Sequence, residues 1–450
     1  MANDINGKVK RYISGFSSAQ FLVLGYFVVI LTGTILLTLP MATTAPGSLP
    51  VLDAIFTATS ATCVTGLIVV NTAEAFTLFG QIVILILIQV GGLGIMTMST
   101  LVFFIIGKKI TLKERLLIQE DLNQFQISGL LRLVQYILFV TVVIEGLGAV
   151  LLFFRLLREM PPLKSFYFAL FHSISAFNNA GFDIFGNSLE SFTGDWAVNL
   201  IIISLIILGG LGFVVLLEFY RKFRWKWASL HTKLVLVISG SLLLLGTITV
   251  LILEYNNPQT MGNLPWYDKI LSSFFLATTP RTAGFNTVPT GGLNPATLFF
   301  VVILMFIGAS PGSTAGGIKT TTFGTLLAAV KMMVKGDQDI EIFNRRLDSD
   351  IIYKVLAITF LSAMLVIAVT MILTITEGQP FQEILFETVS AFGTVGLSTG
   401  VTPTLSATGK ILIIITMFAG RVGPLTLAIA FGERKYKVNY RLPQEKIMVG

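Results

Sequence analysis

Long apolar runs alternate with short polar breaks along the whole chain. Runs at 21–39, 79–106, 134–154, 197–217, 234–253, 355–375 and 411–431 approach or exceed the roughly 20 residues that cross a bilayer core. Shorter amphipathic stretches lie between some of them and run into a glycine. At about 10–14 residues these are too short to cross and read as re-entrant segments. The pattern predicts an all-α integral membrane protein. Composition agrees: of 450 residues, 54% are hydrophobic and 12% charged, against about 25% charged in soluble domains. Mean hydropathy is +0.82. The first twenty residues are polar and the first apolar run has full span length, so no cleavable signal peptide is expected.

One re-entrant stretch contains Thr394-Val395-Gly396. The backbone carbonyls of such a run replace an ion's hydration shell in potassium-channel filters, which need four loops around one axis. The other three loops are found by spacing. Gly396 has Phe386 ten residues upstream and Ser390 six upstream; Gly66 has Phe56 and Ser60, Gly181 has Phe171 and Ser175, and Gly284 has Phe274 and Thr278. Leu67, Phe182, Phe285 and Leu397 follow the glycines, whose spacings are 115, 103 and 112 residues. A single glycine reads as a turn or a packing site. Four at matching offsets read as four repeats of helix, re-entrant pore loop and helix. The repeats are drawn at 21–107, 108–222, 223–335 and 336–432, between terminal segments 1–20 and 433–450. The candidate ion ligands are the backbone carbonyls of Val64, Thr65 and Gly66; Asn179, Ala180 and Gly181; Thr282, Ala283 and Gly284; and Thr394, Val395 and Gly396. Each pore helix would aim its partly negative C-terminal end at the ion.

Charge sets the topology. The two termini and the segments joining one repeat to the next carry 23 of the 31 Lys and Arg residues. Examples are Lys8, Lys108, Arg224, Lys335, Arg346 and Arg434. The opposite side has only Arg155, Arg158, Lys164, Lys269 and Lys410. Positive residues mark the cytoplasmic side. Both termini are therefore expected inside, with eight full crossings and four parallel repeats around a central pore, unlike the inverted repeats of many coupled carriers. The net charge of +7 is a topology signal and not a nucleic-acid signature. Asp53, Glu74, Asp183, Glu190, Asp195 and Asp268 fall in the outer loops, where carboxylates raise local cation concentration; solvated surface acids would give the same pattern.

A second cluster recurs in the later helix of each repeat: GGLG at 91–94 and 209–212, GRVG at 420–423, and GASPGSTAGGIKTTT at 308–322. In the first two repeats small residues read as helix packing. In the third, Ala309, Ser310, Pro311, Gly312, Ser313, Thr314, Ala315, Gly316 and Gly317, with Lys319, interrupt a span of 296–334. Irregular polar backbone at membrane depth is tolerated only when buried in protein or lining a water-filled cavity. About twelve helical residues, roughly 18 Å, precede the break, which puts a candidate gate on the cytoplasmic side of the filter. Arg421 lies mid-span, 25 residues past Gly396, where a charge costs at least ~2.5 kcal/mol. Two readings stand for it: a positive pore barrier bonded to the loop, or a structural salt bridge away from the axis. Arg281, beside the third glycine, is expected to point away from the ion.

With four glycines in register, the Gly/Ser/Thr break and the mid-span arginine, residues 20–432 resemble the Trk/Ktr/HKT superfamily of potassium transporters. They are most similar to the ion-translocating membrane subunit of a bacterial Ktr potassium uptake system. The resemblance implies potassium as the ion, since Gly66 stands where some sodium-transporting members have Ser. It also implies a homodimer in the plasma membrane and a separate cytosolic nucleotide-binding (RCK-type) regulatory ring. This chain has no strand–GxGxxG–helix unit that would bind the nucleotide itself. The alternative is a sodium-coupled or sodium-selective carrier of the same fold, with Na⁺ as activator or coupled ion. An enzyme finds no support: the chain has one cysteine, Cys63, and two histidines, His172 and His231, which also excludes an internal disulfide, and no cofactor is expected.

Overall fold

The computed structural model describes residues 18–45, 47–94, 97–98, 130–220, 224–336 and 339–431, with 443 and 445. Basic residues assigned to the termini, such as Lys8 and Arg434, and Lys108 in the first connector lie outside the described residues, as does most of the first repeat's second span beyond Gly94.

The architecture is four times one motif. A long helix comes first in each repeat: α1 Ser18–Leu37, α4 Leu130–Leu156, α8 Leu230–Glu254 and α12 Ser349–Thr376. All four are long and apolar enough to cross a membrane. A shorter helix follows: α2 Val51–Thr62, α5 Pro162–Phe177, α9 Trp266–Thr278 and α13 Phe381–Gly393. Proline precedes each of these at Pro50, Pro161, Pro265 and Pro380. Proline's fixed φ and missing N–H make it a natural helix start. A third helix then begins at α3 Leu78–Leu93, α6 Trp196–Leu211, α10 Pro295–Phe306 and α14 Ala407–Val422. Thr77, Asp195 and Ser406 cap three of these by accepting backbone N–H groups of the first turn.

The third helix packs on the short helix of its own repeat in repeats one, two and four, and in all four repeats on the short helix of the next. The contacts α3–α5, α6–α9, α10–α13 and α14–α2 close the circle. Phe56, Phe171, Phe275 and Phe386, one in each short helix, are fully buried.

All four third helices break, which corrects the expectation of continuous spans through 79–106, 197–217 and 411–431. α3, α6 and α14 end at Gly94, Gly212 and Gly423, with φ of 86°, 95° and 91°, backbone that side chains rarely adopt. After Gly212 the chain turns by 100° into α7 Phe213–Tyr220, and after Gly423 by 93° into α15 Pro424–Phe431. The fourth position of each GGLG or GRVG cluster is therefore a helix terminator. In the third repeat α10 gives way to an irregular segment, 307–319, before α11 Thr320–Lys335. One strand pair departs from an all-helical chain: β1 Glu341–Ile342 against β2 Arg345–Arg346. Phe343 and Asn344 between them have φ of 50° and 59°, the two-residue turn that matches strand twist.

Candidate ion-conducting site

The four candidate triplets share one backbone shape. Val64, Asn179, Thr282 and Thr394 have φ of 57°, 58°, 71° and 51°, and the glycines two residues later have 89°, 68°, 75° and 93°. The residue between has no positive φ in any of the four. Alternating handedness turns successive N–H groups to one side and successive carbonyls to the other. Non-glycine residues at positive φ are strained, and here four occur at one repeat position.

The triplets also meet. A β-carbon added to Gly66 would run into the Ala180 carbonyl oxygen; one on Gly181 into that of Ala283; one on Gly284 into that of Val395; and one on Gly396 into that of Thr65. Each glycine therefore abuts the next triplet, and the fourth returns to the first. The four glycines, up to 330 residues apart in sequence, form a closed ring lined by carbonyls.

Hydroxyls at the ends of the short helices fix the loops. Ser60 Oγ accepts the Gly66 N–H at 3.1 Å and donates to the Leu67 carbonyl at 2.7 Å. Ser390 Oγ accepts the Gly396 N–H at 3.1 Å, and Ser175 Oγ donates to the Phe182 carbonyl at 2.7 Å. In the third repeat the expected Thr278 does not take this role: it donates to the Phe274 carbonyl one turn back. Thr279 donates to the Phe285 carbonyl at 2.6 Å. The cause is one residue fewer between the hydroxyl and the glycine: Thr279 stands five positions before Gly284, whereas Ser60, Ser175 and Ser390 stand six before Gly66, Gly181 and Gly396. Bonds from Thr65, Ala180 and Val395 N–H reach back five residues, whereas Ala283 N–H reaches back four, to Thr279 O. Phe275 replaces Phe274 at the buried position for the same reason. Arg281 turns away from the ring, donating from Nη2 to Ser239 Oγ on α8 at 2.8 Å.

On the α3 and α6 C-terminal side, the irregular segment 307–319 lies against the ring. A β-carbon on Gly316 would strike the Thr394 side chain. The segment is tied to the second repeat: Ser310 N–H donates to Gly210 O at 3.0 Å, Thr314 N–H to Gly209 O at 3.3 Å, and Phe213 N–H to Gly312 O at 2.8 Å. Thr314 Oγ1 is 3.2 Å from both Phe177 O and Gly209 O. Ser310 and Thr320 hydroxyls pair at 3.0 Å, Ser313 Oγ donates to Ser310 O at 2.6 Å, and Lys319 Nζ donates to Ala315 O at 2.7 Å. Gly308 and Gly317 approach Gly316 and Gly393 where side chains would clash or crowd. The repeat-two cluster is thus more than packing; its carbonyls are the loop's anchor.

Arg421 reaches the same loop from the fourth repeat. Its guanidinium donates to Thr314 O, to Gly91 O and, at 3.4 Å, to Gly92 O, while Nε donates to the Tyr26 hydroxyl at 3.3 Å. These described partners are neutral oxygens from repeats one and three, not the carboxylate of a salt bridge. Gly91, Gly209 and Gly420 each press on a carbonyl at the C-terminal end of the preceding short helix, those of Thr62, Phe177 and Phe392. The next residue is Gly92, Gly210 or Arg421, so the arginine occupies a position that is glycine in two other repeats.

A family profile described as TrkH, cation transport protein, matches residues 12–437. The chain belongs to the TrkH family of cation transport proteins. Members of this family are transporters, and this TrkH-family chain is not an enzyme. It is 47% identical to the Ktr system potassium uptake protein B of Bacillus subtilis over 98% of this chain and 99% of that one. It is 40% identical to the potassium/sodium uptake protein NtpJ of Enterococcus hirae, again over 98% and 99%. Among solved structures, the potassium transporter TrkH from Vibrio parahaemolyticus matches with a TM-score of 0.70 at 20% identity, over 90% of this chain and 84% of that one. That likeness speaks to the fold. The chain is a mostly helical multi-pass membrane protein.

The carboxylates expected in the outer loops are largely committed. Asp53 pairs with Lys410 at 2.6 Å across repeats one and four, and Asp195 with Arg155 at 2.5 Å. Asp268 accepts the Trp196 indole N–H at 3.1 Å. Asp183 accepts backbone N–H groups of Gly186 and Ser188. Burial holds the Asp183 carboxyl above the usual carboxylate range despite those N–H donors, with Glu190 adding repulsion.

Proposed function

We propose that this protein takes up potassium across the plasma membrane through a single ion path formed by its four repeats. The observation that carries the reading is the closed ring of Gly66, Gly181, Gly284 and Gly396. The ligands are the carbonyls of the twelve triplet residues, supplied in place of water. The sequence-drawn boundaries of the four repeats are kept. Eight crossings and four re-entrant helices form one layer, with both termini cytoplasmic; the basic connectors support this orientation. The gate comprises 309–317 with Lys319 and Arg421. It closes the path below the ring, and Arg421 adds positive charge where a cation must pass. The word system in the Ktr relative's name supports an assembly of more than one component, and the resemblance implies that it is a homodimer with a separate cytosolic nucleotide-binding regulator. A second reading, sodium as coupled or preferred ion, is favoured by the Enterococcus relative's name.

The test is K⁺ uptake with Na⁺ competition in a transport-deficient cell. Serine at any ring glycine would meet a neighbouring carbonyl and strain a positive-φ backbone. Each of Gly66→Ser, Gly181→Ser, Gly284→Ser and Gly396→Ser is expected to lower K⁺ preference. Four variants with the parental ratio would refute the filter; a parental ratio favouring Na⁺ would select the second reading.

A further inference from the structure

Two buried side chains in the short helices hold backbone beyond the ring, and no role assigned above uses them. Nine residues before Gly396 stands Glu387, 1% exposed. Its Oε1 accepts the Thr399 N–H at 3.0 Å and the Ser398 hydroxyl at 2.5 Å; its Oε2 accepts the Thr402 hydroxyl at 2.6 Å. Nine residues before Gly181 stands His172, also 1% exposed. Its Nδ1 lies 2.7 Å from Phe168 O, so that nitrogen carries the proton and Nε2 is left as an acceptor. Nε2 accepts the Ile184 N–H at 3.4 Å, and the ring stacks on Phe185 at 4.1 Å. Thr399 and Ile184 both lie three residues past their ring glycines.

Repeats one and three do not repeat the device. The matching residue in repeat one is Thr57, whose hydroxyl donates to Asp53 O within its own helix. In repeat three, allowing for the missing residue, it is Leu276, which has no hydrogen-bonding group. Since each glycine touches the next triplet in the order 66, 181, 284, 396, repeats two and four face each other across the ring.

We infer that Glu387 and His172 are positioning residues that brace the ring along one diagonal, holding the strands after Gly396 and Gly181 while those after Gly66 and Gly284 lack this support. This rests on the ring being the ion filter. Backbone freed at Thr399 or Ile184 lets the adjacent glycine carbonyl move, and a filter of mobile carbonyls discriminates less between ions of different size.

The experiment measures K⁺ uptake, its KM and its inhibition by Na⁺ in transport-deficient cells carrying the full chain at matched membrane amounts. Glu387→Met and His172→Phe keep length or ring and remove the acceptor. Each is expected to lower the K⁺/Na⁺ ratio about tenfold, the scale of one buried N–H left unpaired, mainly through KM for K⁺. Glu387→Gln retains an acceptor for Thr399 N–H and is expected to stay within about threefold of the parent. Thr57→Val and Leu276→Met, the matching sites without a brace, are expected to leave the ratio unchanged. Parental ratios in Glu387→Met and His172→Phe would overturn the inference, as would an equal loss in Thr57→Val. If one acceptor-free variant fails to reach the membrane, the other decides. The glycine-to-serine variants separate the two claims: if they alter selectivity and the brace variants do not, the filter stands and the brace falls.

Discussion

Replacing Arg421 by Ala removes the one side chain from repeat four that, among the described residues, bonds the loop 309–317. The structure lets the effect be sized. The guanidinium donates to Thr314 O on the loop and to Gly91 and Gly92 carbonyls on α3. A hydrogen bond to a charged group contributes about 1.5–3 kcal/mol. The loop also keeps its bonds to Gly209, Gly210 and Phe177, so loss of the Thr314 bond shifts the docked loop by that amount without freeing it. The docked-to-undocked ratio then falls roughly 10- to 100-fold. With the positive charge gone as well, K⁺ flux is expected to rise severalfold or more and to depend less on any regulator. The cost appears in stability, because three carbonyls lose a donor. Arg421→Lys keeps a charge that reaches one carbonyl and is expected to fall between Ala and the parent. The assay is initial-rate uptake at matched membrane amounts, with thermal melting of the purified protein beside it. A folded Arg421→Ala protein with parental flux refutes the argument.

Other outcomes follow from particular contacts. Deleting 309–317 while keeping α10 and α11 is expected to raise uptake with cation preference retained; zero flux in a folded protein would make the loop a scaffold. Gly209→Ala puts a β-carbon into the Phe177 carbonyl and is expected to cost about 1–3 kcal/mol by overpacking, whereas Gly240→Ala, with nothing within 4 Å, is expected to melt like the parent. Glu377 accepts the Ser406 N–H at 2.8 Å and its hydroxyl at 2.7 Å, capping α14. Burial alone raises this carboxyl, but the Ser406 and Thr376 donors outweigh it and lower its pKa. A lowered carboxyl stabilises the fold above its unfolded value of about 4.3 and loses that contribution as pH falls through the folded value. Glu377→Gln is therefore expected to melt earlier than the parent at neutral pH, with the gap closing in acid; a gap constant with pH contradicts this.

Much of the fold was legible because membrane helices announce themselves by length and the four glycines by spacing. The long helices begin and end within a few residues of the apolar runs. The twelve-residue helix before the third-repeat break is α10, as expected. The misses have physical causes. A register fixed to the glycine chose Phe274 and Thr278, but burial and hydrogen bonding are counted from the helix, and one missing residue moves both roles to Phe275 and Thr279. GGLG reads as packing because nothing in four small residues reveals that the last will take positive φ and end the helix. Pro50, Pro161, Pro265 and Pro380 were an available signal for the short-helix starts, hidden by unequal distances to the glycines. A bond from Arg421 to the loop was among the expected readings, but its further partners Gly91 and Gly92 on α3 are set by tertiary closure, which local sequence does not encode.

The central claim is that a cation sits inside the ring of the four glycines. The direct measurement is an experimental structure with Rb⁺ or Tl⁺ in place of K⁺, mapped by anomalous scattering. The account predicts a peak on the ring axis, shared among carbonyls of the four triplets and competed away by K⁺. A ring with no peak, or a peak held by one repeat alone, would contradict it.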